Sequence, residues 1–106
     1  MNIYISGPIT GVDPMRCDIT FDLAKNAIRE KGHFPVSPWD LGKILPSTFK
    51  HSDYMDVDMV ILEKMDAIVM LDGWESSQGC TYEFGYACRT DMPIYYGIDE
   101  IPSAEV

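Results

Sequence analysis

Glu83 lies at the end of the run Ser76-Ser77-Gln78-Gly79-Cys80-Thr81-Tyr82-Glu83, which links an apolar stretch, Asp66 to Leu71, to a segment with helical spacing. Hydroxyls and a glycine at a helix start, with a carboxylate about a turn and a half further in, make a small polar cup. A carboxylate there can act as a nucleophile, as a general base, or only as a charge favoured by the positive end of the helix dipole. Ser76 and Ser77 can hold a phosphate or a sugar hydroxyl, or can simply cap the helix. The first apolar run, Ile3 to Ser6, contributes Tyr4, Ser6 and the following Gly7 at its carboxyl end. In open parallel sheets ligands bind outside the carboxyl ends of the strands, so Tyr4, Ser6, Gly7, Asp72, Ser76 and Ser77 are expected to meet near Glu83. Asp56 and Asp58 fall on a separate helical segment about 200° apart, so at most one of them faces a cleft. Composition and spacing lead this far, to a small anionic or polar ligand.

These residues need a scaffold, and the chain order supplies one. Ile3 to Ser6 reads as a central strand stopped by Gly7-Pro8. Asp13 before Pro14 is a plausible cap for a helix over roughly residues 14–31, in which Phe21, Ala24, Ala27 and Ile28 recur at helical spacing and Gly32 provides the stop. His33 to Val36, interrupted by Pro35 and stopped by Pro38, suits an edge strand. Residues 37–51 read as a long loop carrying Trp39, Leu45, Pro46 and Phe49, either a lid or binding loop or a segment packed on the sheet. Ser52 is expected to cap a helix from Asp53 to about Lys64 with Tyr54, Val57, Ile61 and Leu62 as its apolar stripe and Met55, Met59 and Met65 filling gaps. Asp66 to Leu71 reads as a strand covered on both faces. Gly79 to Thr90 is a third helix, with Gly79, Gly85 and Ala87 permitting close approach to the sheet, and Pro93 to Gly97 is a last strand before a nine-residue tail. This order predicts an α/β fold, a flavodoxin/Rossmann-like three-layer sandwich with a four- to five-stranded parallel sheet, in one domain spanning residues 1–106.

Composition narrows the partners. The 106 residues are 46% hydrophobic, enough for a layered core, and the formal net charge is -9, from 17 acidic and 8 basic residues. The lysines and arginines are scattered, which argues against a nucleic acid polymer, although a single nucleotide held by backbone N–H groups and hydroxyls remains compatible. Cys17, Cys80 and Cys88 form no metal-like pair, and His33 and His51 stand alone, so neither a metal nor another cofactor is expected. A reducing, cytoplasmic setting fits the odd cysteine count, and no run suggests a signal peptide or a membrane span.

The pieces Tyr4-Ile5-Ser6-Gly7-Pro8-Ile9, Asp58 placed eight residues before Asp66-Ala67-Ile68-Val69, and Ser77-x-Gly79-x-x-x-Glu83-x-Gly85-x-Ala87 together resemble the nucleoside 2-deoxyribosyltransferase superfamily. That superfamily includes the 2'-deoxynucleoside 5'-monophosphate N-glycosidases and short phage and bacterial members without assigned function. The resemblance runs from residue 3 to about residue 96. It implies that Glu83 is a nucleophile forming a glycosyl-enzyme intermediate, that Asp58 handles the proton of the leaving base, and that Tyr4 orients the nucleophile. It further implies that Ser6, Gly7, Ser77, Gly79 and Asp72 belong to the substrate site. The partner is then a small nucleoside or nucleotide. A homodimer or higher homo-oligomer is also implied, for which Tyr95 and Tyr96 could supply an interface.

Six residues before the nucleophile the transferases resemble one another in carrying an aspartate, and the monophosphate hydrolases in carrying a serine; here the residue is Ser77. A neutral hydroxyl suits a phosphate better than a carboxylate does. Thr10, in contrast, stands where the hydrolases carry an arginine. Three readings follow: an N-glycosidase acting on a (deoxy)nucleoside 5'-monophosphate, a nucleoside 2-deoxyribosyltransferase, and a nucleotide-binding module without turnover.

Overall fold

The computed structural model describes residues 1–104. Four strands, β1 (Asn2–Ser6), β2 (Phe34–Val36), β3 (Ala67–Met70) and β4 (Ile94–Tyr96), form one sheet in the order β2-β1-β3-β4, and every neighbouring pair is parallel. The helices are α1 (Pro14–Glu30), α2 (Pro38–Ile44), α3 (His51–Leu62) and α4 (Gln78–Arg89). This is the expected three-layer α/β architecture, at the four-stranded end of the expected range.

Alternation along the strands divides the core in two. Ile3 and Ile5 of β1, with Ala67, Val69 and Leu71 of the β3 segment, pack against Cys17, Phe21, Ala24 and Ile28 of α1. Tyr4, Ile68 and Met70 face the other way, against Leu62 of α3 and Cys80 and Ala87 of α4. Both faces of β1 and β3 are therefore apolar, which explains their unbroken hydrophobic runs. Pro35 lies in β2, where the strand pairs only with β1 and the missing N–H faces no second neighbour.

The connections decide where a ligand can sit. The chain leaves β1 into α1 on one face and leaves β3 into α4 on the opposite face, while Ser6 pairs with Met70 so that the two strand ends are level. A crevice opens between such diverging connections. Gly7 lets the chain pass close against the α1-side core there, since a Cβ on it would lie 3.0 Å from Leu71 Cδ1 and 3.3 Å from Phe21 Cζ. Gly32, at φ +86°, ends α1 in the left-handed conformation expected of a helix stop.

Several local expectations are corrected. Residues 37–51 are not a plain loop: Ser37 caps α2, its hydroxyl accepting from the Asp40 N–H at 3.4 Å, with Pro38 in the first turn. Asp13 occupies the cap position of α1 but makes no side-chain cap bond. Helix α3 begins at His51 rather than after Ser52, because the Lys50 N–H donates back to Asp53 Oδ2 at 2.8 Å. Of the small residues of α4, Ala87 is buried within the core, whereas Gly79 faces Met55 of α3, whose Sδ would lie 3.4 Å from an added Cβ, and Gly85 faces Arg89 of its own helix.

The final segment is not a free tail as far as it is described. After a 3₁₀ turn at Ile98–Glu100, Ile101 enters the α1-side core. Lys31 Nζ donates to the Ile101 carbonyl at 2.7 Å, and the Ala104 N–H donates to the Lys31 carbonyl at 2.7 Å. His33 is buried and bridges Met1 N (3.0 Å) and the Pro102 carbonyl (2.6 Å), which accounts for its burial structurally. The last two residues of the expected tail lie outside the described residues.

Candidate functional site

Glu83 is held between β1 and α4. Tyr4 and Ser6 have the same parity on β1, so both side chains project toward α4, and Glu83 comes to them from its second turn. The Tyr4 hydroxyl donates to Glu83 Oε2 and the Ser6 hydroxyl donates to Oε1 at 2.8 Å. Glu83 is only 4% exposed, so each carboxylate oxygen is buried and satisfied by a neutral donor from the strand.

The carboxylate also lines a cavity of ≈ 700 Å³. Its walls come from four places: Gly7, Ile9 and Thr10 after β1; Pro38, Trp39, Gly42 and Lys43 of α2; His51, Tyr54, Met55 and Asp58 of α3; and residues 76–80 with Glu83 at and within α4. Ser77 caps α4 by accepting from the Cys80 N–H at 3.3 Å. That bond uses a lone pair, and the hydroxyl hydrogen, which also lies within reach of the Cys80 thiol, can turn to a ligand oxygen.

Burial sets the proton chemistry. It pushes the Glu83 carboxyl up, while the bonds from Tyr4 and Ser6 pull it back toward the ionised form. Asp58 is pushed up to about 7, first by burial and then by the Glu83 charge. Tyr4 is driven well above the ordinary phenol range by burial, then by Glu83 and Asp58, so it remains a donor. Two carboxyl groups in one cavity thus have different tasks open to them: one is braced by two neutral donors, the other is able to give or take a proton near neutral pH.

Among the residues singled out from the sequence, Gly7, Asp58, Ser77, Gly79 and Glu83 line the same cavity, and Tyr4 and Ser6 stand behind Glu83. Asp72 does not join them: it is exposed in the β3–α4 connection and is no part of the lining. Asp56 is exposed while Asp58 turns to the cavity, as their separation on the helix requires. Met55 lines the cavity instead of filling the core. Lys43, His51 and Tyr54 join the lining without a motif that marks them; the signal for Lys43 is the long 37–51 segment, whose helix α2 lies over the cup, while His51 and Tyr54 come from the first turn of α3. Among the described residues no group of three or more His, Cys, Asp or Glu is arranged to hold a metal ion, and no helix is long and apolar enough to cross a membrane.

A solved structure of similar fold is the 2-deoxyribosyltransferase of the psychrotolerant bacterium Bacillus psychrosaccharolyticus, with a TM-score of 0.69 at 16% identity over 89% of this chain and 69% of that one. At that identity the likeness concerns the fold: a four-stranded parallel sheet between helices, of the deoxyribosyltransferase-like Rossmann type. No curated protein matches the chain in sequence. A family model does match, over residues 1–96, and the chain belongs to the family described as domain of unknown function (DUF4406).

Proposed function

We propose that this protein hydrolyses the base–sugar bond of a (deoxy)nucleoside 5'-monophosphate through a covalent glycosyl-Glu83 intermediate. The observation that carries the reading is Glu83 itself, a buried carboxylate with both oxygens held by β1 hydroxyls, lining a cavity that also contains Asp58. In the first step a Glu83 oxygen bonds to the anomeric carbon as the bond from that carbon to the base nitrogen breaks, and Asp58 gives its proton to the departing base. In the second, Asp58 takes a proton from water, whose oxygen bonds to the anomeric carbon and releases Glu83. Free base and sugar phosphate are the products. Tyr4 and Ser6 orient the nucleophile and stabilise the carboxylate when it is regenerated. The hydroxyl of Ser77, at the amino end of α4, serves the phosphate.

A second reading, transfer of deoxyribose to another base, is favoured by the fold shared with a 2-deoxyribosyltransferase. Both readings use the same intermediate and differ in the acceptor. The test is release of free base from a panel of deoxynucleoside 5'-monophosphates and the matching nucleosides, with the parent protein and Glu83→Ala side by side, with and without an added free base. Release from monophosphates alone, lost in the variant and not requiring added base, is the result expected. A new nucleoside formed only with added base would favour transfer. Binding of a monophosphate by the parent without any release would overturn the catalytic reading in favour of a binding module.

A further inference from the structure

The charges around the cavity are unbalanced for a phosphorylated ligand. Glu83 and Asp58 both line it, and the Glu83 carboxylate, joined by Asp58 whenever that group is ionised, repels a phosphate dianion unless a cation is near. Ser77 and the first turn of α4 offer only partial positive charge. Thr10 lines the cavity and carries none. Among the described lining residues Lys43 is the one lysine or arginine.

Its surroundings make it available. Lys43 lies in the last turn of α2, with its ammonium 5.3 Å from the centre of the Trp39 ring. The same ammonium is 2.6 Å from Asp18 Oδ1 of α1 and 3.8 Å from Asp40 Oδ1. The Lys43 and Asp18 side chains are 50% and 49% exposed, so the pair is wet, contributes little net stability and can exchange partners. The preceding residue is Gly42, where an added Cβ would meet nothing within 4 Å, so the wall beside Lys43 is open. Trp39 is fixed independently, its indole N–H donating to the same Asp18 oxygen at 2.7 Å.

We propose that Lys43 is the residue that selects a 5'-phosphorylated substrate, releasing Asp18 to pair with the phosphate. This rests on the monophosphate reading above and supplies a specificity residue for it. The cation comes from α2 across the cavity, so substrate recognition and the docking of α2 on α1 share one ammonium. Asp18 competes with the substrate for Lys43, and its removal strengthens phosphate recognition.

The test compares kcat/KM for one deoxynucleoside 5'-monophosphate with that for the matching nucleoside, in the parent, Lys43→Met, Lys43→Arg and Asp18→Asn. Losing a charged hydrogen bond to the phosphate lowers the monophosphate-to-nucleoside ratio about 10- to 100-fold in Lys43→Met. Lys43→Arg retains most of the ratio. Asp18→Asn raises it, since asparagine can still accept from Trp39 but no longer holds the ammonium. If Lys43 served only to fasten α2 to α1, Asp18→Asn and Lys43→Met would change activity in the same direction, and that result overturns the proposal. An unchanged ratio in Lys43→Met also overturns it while leaving the monophosphate reading intact. A parent protein that prefers the nucleoside refutes the monophosphate reading itself, and the assignment of Lys43 falls with it. Should neither substrate turn over, calorimetric dissociation constants for the same monophosphate and nucleoside with the same four proteins provide the ratio, and absence of monophosphate binding by the parent refutes both.

Discussion

Asp58→Asn should stabilise the folded protein, and should do so only above acidic pH. Burial and the Glu83 charge raise the Asp58 carboxyl from an ordinary 3.8 to about 7. Between those values the native state binds more protons than the unfolded chain, so the stability associated with this group is fully present below pH 3.8 and is lost as pH rises through about 7. At about 1.4 kcal/mol per pH unit, the whole interval corresponds to at most about 4 kcal/mol. Asp58 opens onto the cavity and is partly screened by water, which reduces the expected effect to about 2 kcal/mol. Asparagine carries no charge at any pH and escapes the loss. Urea unfolding of parent and variant at pH 8.5 should therefore show the variant more stable by about 2 kcal/mol, near 10 °C in Tm for a chain of this size. At pH 3.5 the difference should vanish. Titrating groups not coupled to Asp58, such as Asp18 and Asp40, whose carboxyls are lowered by lysine partners, are common to both proteins and cancel in the comparison. Equal stability at both pH values, or a variant less stable at pH 8.5, would refute the argument that the site stores an unfavourable charge for use in proton transfer.

Two further outcomes test the brace and the carboxyl-terminal segment. Tyr4→Phe removes a donor that pulls the Glu83 carboxyl toward its ionised form, so the acidic limb of the pH–rate profile should move to higher pH and kcat should fall about 10- to 100-fold; a limb that stays in place would show that Tyr4 does not tune the nucleophile. Ile101→Ala opens a cavity in the α1-side core and should cost about 2–4 kcal/mol in denaturant unfolding, whereas a dispensable tail would lose less than about 0.5 kcal/mol.

The strands and most helices were legible because each is written in local periodicity. Ile3–Ser6 and Ala67–Met70 lie in runs apolar at every position or nearly so, and that pattern follows from burial on both faces. Phe21, Ala24 and Ile28 repeat at the helical period, and Pro35 marks an edge. Helix α2 was also written locally, in Ser37-Pro38 with Asp40 following, within a stretch whose prolines and glycine otherwise read as a loop. Ile101 carried no such mark: Ile98 and Ile101 stand among polar residues without a strand or helix period, and Ile101 reaches the core where Lys31 and His33 hold the carbonyls of Ile101 and Pro102.

The residue types of the site, a glutamate a turn and a half into a helix after a serine-glycine turn, were determined by the sequence alone. So was the parity that puts Tyr4 and Ser6 on one face of β1. That those hydroxyls reach the two oxygens of a carboxylate 77 and 79 positions away was decided by strand order and register, which bring β1 beside β3 and hang α4 from its end. The same packing left Asp72 in solvent and put Lys43 in the wall. Local spacing specifies which way a side chain points along its own element. Which element stands opposite, and how much water lies between, depends on burying both faces of one sheet at once, and that condition exists only in the folded chain.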